Sequence, residues 1–301
     1  MKVVITGANG AVGHAILRHG SGTRDSPIEL VAAVRSERAV KELPPLRESQ
    51  IARISYEDVS SLRAALEGAS AVIQLAGVLV VPPGSTYEKA NVETTRNVAE
   101  AARNSGVEKI VYVSAIGANA ASSNGYWRSK GQAEALVRTS GCAYTILRVP
   151  LLLGPRTEGA AGLQRHLRRS VVSLPGGGRN LQQPLDVDDL ACAALRAGDP
   201  LVARNRALDL VGPVWLSDRE ILQRAASQLG RAVRIRSIPV RLARIVLAIG
   251  QRMGRTGLSP DVLEVISANT QLDPTPAATA LGIRLTGLDE MITRSLGEMR
   301  T

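Results

Sequence analysis

Short apolar runs alternate with longer stretches of helical periodicity through the first half of the chain. KVVIT (2–6), IELVAAVR (28–35), IARIS (51–55), SAVIQLAG (70–77), EKIVYVSA (108–115) and AYTILRV (143–149) read as strands. Between them GAVGHAILRHG (10–20), TYEKANVETTRNVAEAARNSG (86–106) and SKGQAEALVRTSG (129–141) carry helical spacing. Strands that are apolar throughout, rather than alternately polar, are buried on both faces. Their interleaving with helices implies a parallel sheet covered on both sides. The expected class is α/β, a doubly wound, Rossmann-type sheet.

After LLLGP (151–155) the pattern loosens, so residues 1–155 are expected to form the nucleotide-binding domain and 156–301 a smaller substrate or lid lobe. The two make one continuous unit, with later strands and helices free to return to the first part. SLPGGGRNLQQP (173–184) has the composition of a loop or hairpin, and its glycines do not sit between a strand and a helix. LDVDDLACAALRAG (185–198) reads as a strand end followed by a helix capped by an aspartate such as Asp188. LSDREILQRAASQLG (216–230) is a helix with Ser217 as its cap, and RLARIVLAIGQRMGR (241–255) is an amphipathic helix.

A chain of 301 residues is long enough to bury a sizeable core. It opens directly into a strand and has no run of ~18 apolar residues, which leads us to expect a cytoplasmic protein. Cys142 and Cys192 lie in apolar contexts and read as free thiols, not as a disulfide or metal site. The net charge is +10, with 32 arginines against 5 lysines and no phenylalanine. That bias can come from base composition, so the distribution matters more than the total. Residues 1–155 carry net +4, 156–256 net +9 and 257–301 net −3. Nucleic acid is not an expected partner, because two tryptophans and five tyrosines give few surfaces for base stacking.

TGANGAVG (6–13) sets Gly7, Gly10 and Gly13 between the first strand and first helix, with Asn9, Ala11 and Val12 among them. Glycines here allow a tight turn, close approach of a pyrophosphate to the backbone, and packing of helix on sheet. The second strand ends at Arg35 where a fold preferring NAD places an acid for the ribose 2′-hydroxyl. An arginine accepts a 2′-phosphate instead, so NADP(H) is expected ahead of NAD(H).

In order along the chain, these features resemble the short-chain dehydrogenase/reductase superfamily. The resemblance rests on the glycine loop, Tyr56-Glu57-Asp58-Val59 after the third strand, and Gln74-Leu75-Ala76-Gly77 after the fourth. It extends to Asn91 in ANVETTRNVAEAAR, YVSA ending the fifth strand, and the YxxxK pair Tyr126/Lys130. ILRVPLLLGP, which contains Val149, and LDVDDLA match segments of the extended branch. LSDREILQRAASQLGR, IPVRLARIVLAIGQRMGRTGLSPDVLEVIS and LGIRLTGLDEMI are similar to an atypical group of that branch. The group includes the dehydrogenase-like accessory subunit of respiratory complex I and bacterial relatives. The resemblance implies that Asp58 and Val59 border the adenine and that Leu75, Ala76, Gly77, Asn91 and Val149 line the cofactor. Lys130 would bond the nicotinamide ribose. It also implies NADP(H) binding with catalysis uncertain or lost, and a monomer or homodimer.

Tyr126 and Lys130 lie four residues apart and so share a helix face. A tyrosine hydroxyl titrates near ~10, and a neighbouring ammonium is expected to lower that value toward useful proton transfer. Tyr126 would then be general acid/base and Lys130 its tuner. Ser114 is the candidate for the hydroxyl that polarises the substrate, but the following residues are Ala115 and Ile116, so that position is open. Two functions follow: reduction of a carbonyl on an unidentified small molecule, or a non-catalytic NADP(H)-binding sensor, assembly or accessory protein. Leu242, Ile245, Val246, Ile249 and Met253 make one apolar face flanked by Arg241, Arg244, Arg252 and Arg255, and RHLRR (165–169) adds charge to the same lobe. That face is either a lid packed on the lobe or a surface for anionic membrane or for an amphiphilic or acidic substrate.

Overall fold

Six strands form where the apolar runs occur: β1 Lys2–Thr6, β2 Glu29–Val34, β3 Ile51–Arg53, β4 Ala71–Gln74, β5 Lys109–Ala115 and β6 Ala143–Val149. The computed structural model describes residues 1–20, 28–252 and 259–300. A seventh strand, Arg206–Asp209, which the sequence pattern did not reveal, pairs with β6 and closes one edge. The order across the sheet is β3, β2, β1, β4, β5, β6, then Arg206–Asp209, and every pairing is parallel. Strand order therefore reverses between β1 and β4. In an open α/β sheet this is where the crevice for a ligand lies.

Helices cover both faces. Ile16 and Leu17 of α1 (Ala11–Gly20) and Leu190, Ala193 and Ala194 of α7 (Val187–Ala197) pack on Val3, Ile5, Val111 and Leu147. Leu62 and Leu66 of α3 (Val59–Leu66), Val98 of α4 (Thr94–Asn104) and Ala133 and Val137 of α5 (Gly125–Arg138) pack on Val4, Val72, Ile110 and Ile146. Buried on both faces, these strands are apolar at successive positions, which is why they read so clearly. The helix expected over 86–106 begins with a π-helical turn, Glu88–Glu93, before α4.

A third apolar cluster forms within the second half of the chain. Leu163 and Leu167 of α6 (Glu158–Leu167), Ile221 and Leu222 of α8 (Asp218–Gln228), and Met291 and Ile292 of α12 (Leu288–Leu296) pack with Val172 and Leu174. Two sequence expectations are corrected here. Val171–Pro175 is a strand paired in parallel with Arg234–Ile238, and the turn begins only at Gly176, Gly177 and Gly178, all at positive φ. The cap of α7 is Asp186, not Asp188. The Asp186 carboxylate accepts from Asp188 N at 2.8 Å, while the Asp188 carboxylate pairs with Arg18 and Arg294. Ser217 caps α8 as expected, in a reciprocal pair with Glu220. The amphipathic segment forms α9 (Val240–Arg252); Met253, Arg255 and the side chain of Arg252 lie outside the described residues. No helix among the described residues is long and apolar enough to cross a membrane.

Candidate functional site

The crevice between β1 and β4 is built by residues that lack side chains. Gly7 sits at φ +69°, and a Cβ there would lie 3.1 Å from Ala76 N, so the glycine loop rests directly on the Leu75–Ala76 backbone after β4. Gly13 is more crowded still: a Cβ would lie 2.5 Å from Ala8 Cα and Ala8 O. Gly10 N donates to Gly7 O at 3.0 Å, and α1 starts at Ala11 with no acid in its first turn. A tight turn feeding an acid-free helix N-terminus suits a pyrophosphate. These residues fit a dinucleotide.

At the end of β2, Arg35 is exposed and its guanidinium carbon lies 5.8 Å from the Tyr56 ring centroid. Burial pushes the Tyr56 hydroxyl pKa up, partly offset by hydrogen bonds to Thr6 and the Gly7 backbone. Tyr56 thus ties the chain after β3 to the glycine loop and carries Arg35 on its ring. Sequence reading noted Tyr56 only as part of a motif. Asn9 donates through Nδ2 to Glu42 Oε2 at 3.0 Å, and Glu42 also pairs with Arg38. Asp58 caps α3 by accepting from Ser60 N at 2.9 Å, and Val59 is the first residue of that helix.

On the other side of the crevice, Gly77, Asn91 and Lys130 converge. A Cβ on Gly77 would lie 3.0 Å from Asn91 Oδ1 and 3.7 Å from Lys130 Nζ. Asn91 is fully buried in the π-helical turn. Its Oδ1 accepts from Val78 N at 2.7 Å, and its Nδ2 donates to Val78 O at 3.1 Å and Ser129 Oγ at 2.9 Å. It pins the loop after β4 to α5, which is a positioning role. Val149 closes β6, and its carbonyl accepts from Ile116 N at 3.0 Å.

Asn124 caps α5, accepting from Tyr126 N at 3.1 Å and Trp127 N at 3.3 Å. Four residues after Tyr126, Lys130 is buried, donates from Nζ to Val113 O at 2.8 Å and lies 4.3 Å from the Tyr112 ring centroid. Burial brings its pKa down to about 7 against the opposing pull of Glu134. Tyr126 is half-buried, with its ring centroid 6.0 Å from that of Tyr87. Its pKa is raised by burial and further by Tyr87. The expected lowering of this pKa by Lys130 is therefore corrected. In the protein by itself Lys130 Nζ turns to the Val113 carbonyl, and the phenol stays protonated.

Ser114, the candidate for polarising the substrate, has a partner of its own. It donates to Glu134 Oε1 at 2.7 Å, and Glu134 takes a two-point contact from Arg148, at 2.8 Å from Nε and 2.7 Å from Nη2. Ser114 thus belongs to a buried network joining β5, α5 and β6. Two residues on, just past the end of β5, stands the aliphatic Ile116. Sequence reading missed Glu134, although it lies four residues beyond Lys130 on the same helix face.

α10 (Pro260–Ile266) closes the site over the start of α5. Asp261 Oδ2 accepts from Gly125 N at 2.9 Å, and Glu264 Oε2 accepts from Asn124 Nδ2 at 3.1 Å. Tyr87, beside Tyr126, donates to Leu79 O at 2.8 Å.

Comparison with known proteins bears on the family and the fold. A family model described as NAD(P)H-binding matches residues 7–172. The uncharacterized sugar epimerase YhfK of Bacillus subtilis is 27% identical over 220 residues, covering 70% of this chain and 94% of that one. The NADH dehydrogenase [ubiquinone] 1 alpha subcomplex subunit 9 of Arabidopsis thaliana mitochondria is 24% identical over 240 residues, covering 79% of this chain and 57% of the relative. The ceramide reductase of Caulobacter vibrioides is 28% identical over 248 residues, covering 79% and 73%. Among solved structures, the quinone oxidoreductase QOR2 of Escherichia coli complexed with NADPH has the same fold. Its TM-score is 0.74 at 21% identity, covering 97% of this chain and 98% of that one.

Proposed function

The chain belongs to the NAD(P)H-binding family, on the atypical side of the short-chain dehydrogenase/reductase superfamily, and from that premise we propose that it is an NADP(H)-dependent reductase of a carbonyl compound. The observation that carries this reading is the meeting of Lys130, Asn91 and Gly77 across the crevice from the glycine loop, with Tyr126 one turn before Lys130. Gly7, Gly10, Ala11, Val12 and Gly13 would hold the pyrophosphate, Arg35 the 2′-phosphate, and Lys130 the nicotinamide ribose. When bound, the nicotinamide supplies the hydride for the carbonyl/alcohol pair. The protein's part is the proton. A Tyr126 phenol whose pKa is raised by burial is protonated throughout the physiological range, so it suits giving a proton to a reduced carbonyl oxygen better than taking one.

A second reading, a non-catalytic NADP(H)-binding sensor or accessory subunit, is favoured by one observation. Ser114 donates its hydrogen bond to Glu134 and Ile116 offers no hydroxyl, so a donor for the developing oxyanion is missing from that strand end. Loss of one such donor typically costs ~2–4 kcal/mol of barrier. Under this reading the cofactor binds and no carbonyl is reduced.

Arg35 tests the cofactor preference. A charge-assisted bond to a 2′-phosphate is worth about 1.5–3 kcal/mol, so NADPH is expected to bind roughly ten- to a hundredfold more tightly than NADH. Arg35→Ala should bring the two affinities close together by weakening NADPH alone. Equal affinities in the unaltered protein, or an unchanged ratio in the variant, would remove Arg35 from this role.

A further inference from the structure

Four apolar side chains of α9 at i, i+3, i+4 and i+7 stand in solvent: Leu242, Ile245, Val246 and Ile249 are 51%, 56%, 58% and 54% exposed. A helix normally turns such a stripe toward a core, and a contiguous exposed apolar stripe marks a surface with a partner. The helix is seated at its start, where Val240 Cγ2 lies 3.6 Å from the position of a Cβ on Gly176, and it adjoins α10. Its apolar face nevertheless stays exposed.

The charge around it has one sign. From Arg231 to Pro260 the chain holds seven arginines and no acid. Arg234 and Arg236 on the strand leading into α9, and Arg241 and Arg244 on α9 itself, are all exposed. The first acids beyond this stretch, Asp261 and Glu264, are engaged at the N-terminus of α5 and do not neutralise it. An apolar stripe bordered by arginines complements a bilayer that is apolar within and anionic at its surface. A second copy of the chain would bring the same unneutralised arginines face to face.

We propose that the exposed face of α9 is a membrane-surface element that seats on anionic lipid. Its neighbour α10 covers the start of α5, where Tyr126 lies. Resting on the reading of Tyr126 as proton donor, the substrate class is therefore a carbonyl-bearing amphiphile drawn from the bilayer.

Co-sedimentation of the full chain with vesicles tests the seat, using phosphatidylcholine alone or with roughly one part in three phosphatidylserine. Binding is expected only to the anionic vesicles and should fall as salt rises. Arg241→Glu/Arg244→Glu should lower partitioning about thirtyfold or more, near fivefold for each arginine removed. Ile245→Glu/Ile249→Glu should abolish it while leaving melting temperature and NADPH affinity unchanged. No binding to anionic vesicles at low salt, or equal binding by both variants, overturns the proposal. So does a concentration-dependent dimer dispersed by Ile245→Glu/Ile249→Glu in the absence of lipid binding. A chain that binds NADPH but not vesicles refutes the membrane seat alone. One that binds vesicles but not NADPH refutes the cofactor reading alone.

Discussion

Tyr126→Phe is expected to reduce carbonyl turnover by ~10²–10⁴-fold while leaving NADPH affinity within about a factor of three, the range general acid catalysis commonly supplies. Phenylalanine keeps the ring packed against Tyr87, so the wall of the pocket survives. What is lost is the hydroxyl, and the nearest candidate on β5 cannot replace it because Ser114 is held by Glu134. Tyr87 is no substitute either, since its hydroxyl donates to Leu79 O. The measurement is NADPH oxidation followed by absorbance over a panel of quinones, aldehydes and ketones, with the variant assayed on whichever compound the unaltered protein reduces. Full turnover in Tyr126→Phe would remove the tyrosine from the chemistry.

Gly13→Ala has the largest expected effect on the cofactor site. In an exposed helix the change from glycine to alanine gains about 1 kcal/mol of helix propensity. Here the added Cβ would meet Ala8 Cα and Ala8 O at 2.5 Å, both backbone atoms that cannot rotate away. Overpacking of this kind costs about 1–3 kcal/mol, so the clash outweighs the propensity gain. The relief available is a shift of the glycine loop off the Leu75–Ala76 backbone, which also displaces the start of α1. The expected result is a lower melting temperature and NADPH binding weakened more than tenfold, because loop and helix start are the parts that would meet the pyrophosphate. A variant that melts normally and binds NADPH normally would show that the close packing of this turn does not matter to the site.

The sheet was legible because its strands are buried on both faces and so are written as continuous apolar runs. Arg206–Asp209 escaped because a four-residue edge strand with charge at both ends carries no such signature. The glycine loop was legible for a related reason: only glycine satisfies the positive φ at Gly7 and the contact at Gly13. The partners of polar side chains were not legible. Nothing in the sequence near Ser114 shows that Glu134, twenty residues on, will accept from it, or that Arg148, on the next strand, will hold that carboxylate. Whether Lys130 would face Tyr126 or the Val113 carbonyl depends likewise on how α5 packs on β5. The amphipathic pattern of α9 was plain, but periodicity records only that one face is apolar and does not say what covers it.

Calorimetric titration with NADPH at pH 8, in two buffers of different ionisation enthalpy, reads whether this crevice binds the cofactor through Lys130. With a pKa of about 7 in the protein alone, Lys130 is mostly neutral at that pH. Bonding to the cofactor favours the charged form and raises the pKa, so binding should take up a proton, and affinity should fall as pH rises through 7 toward 9. The expected result is saturable binding of one NADPH per chain with proton uptake that Lys130→Met abolishes along with most of the affinity. No saturable heat with NADPH up to millimolar concentration would contradict the account.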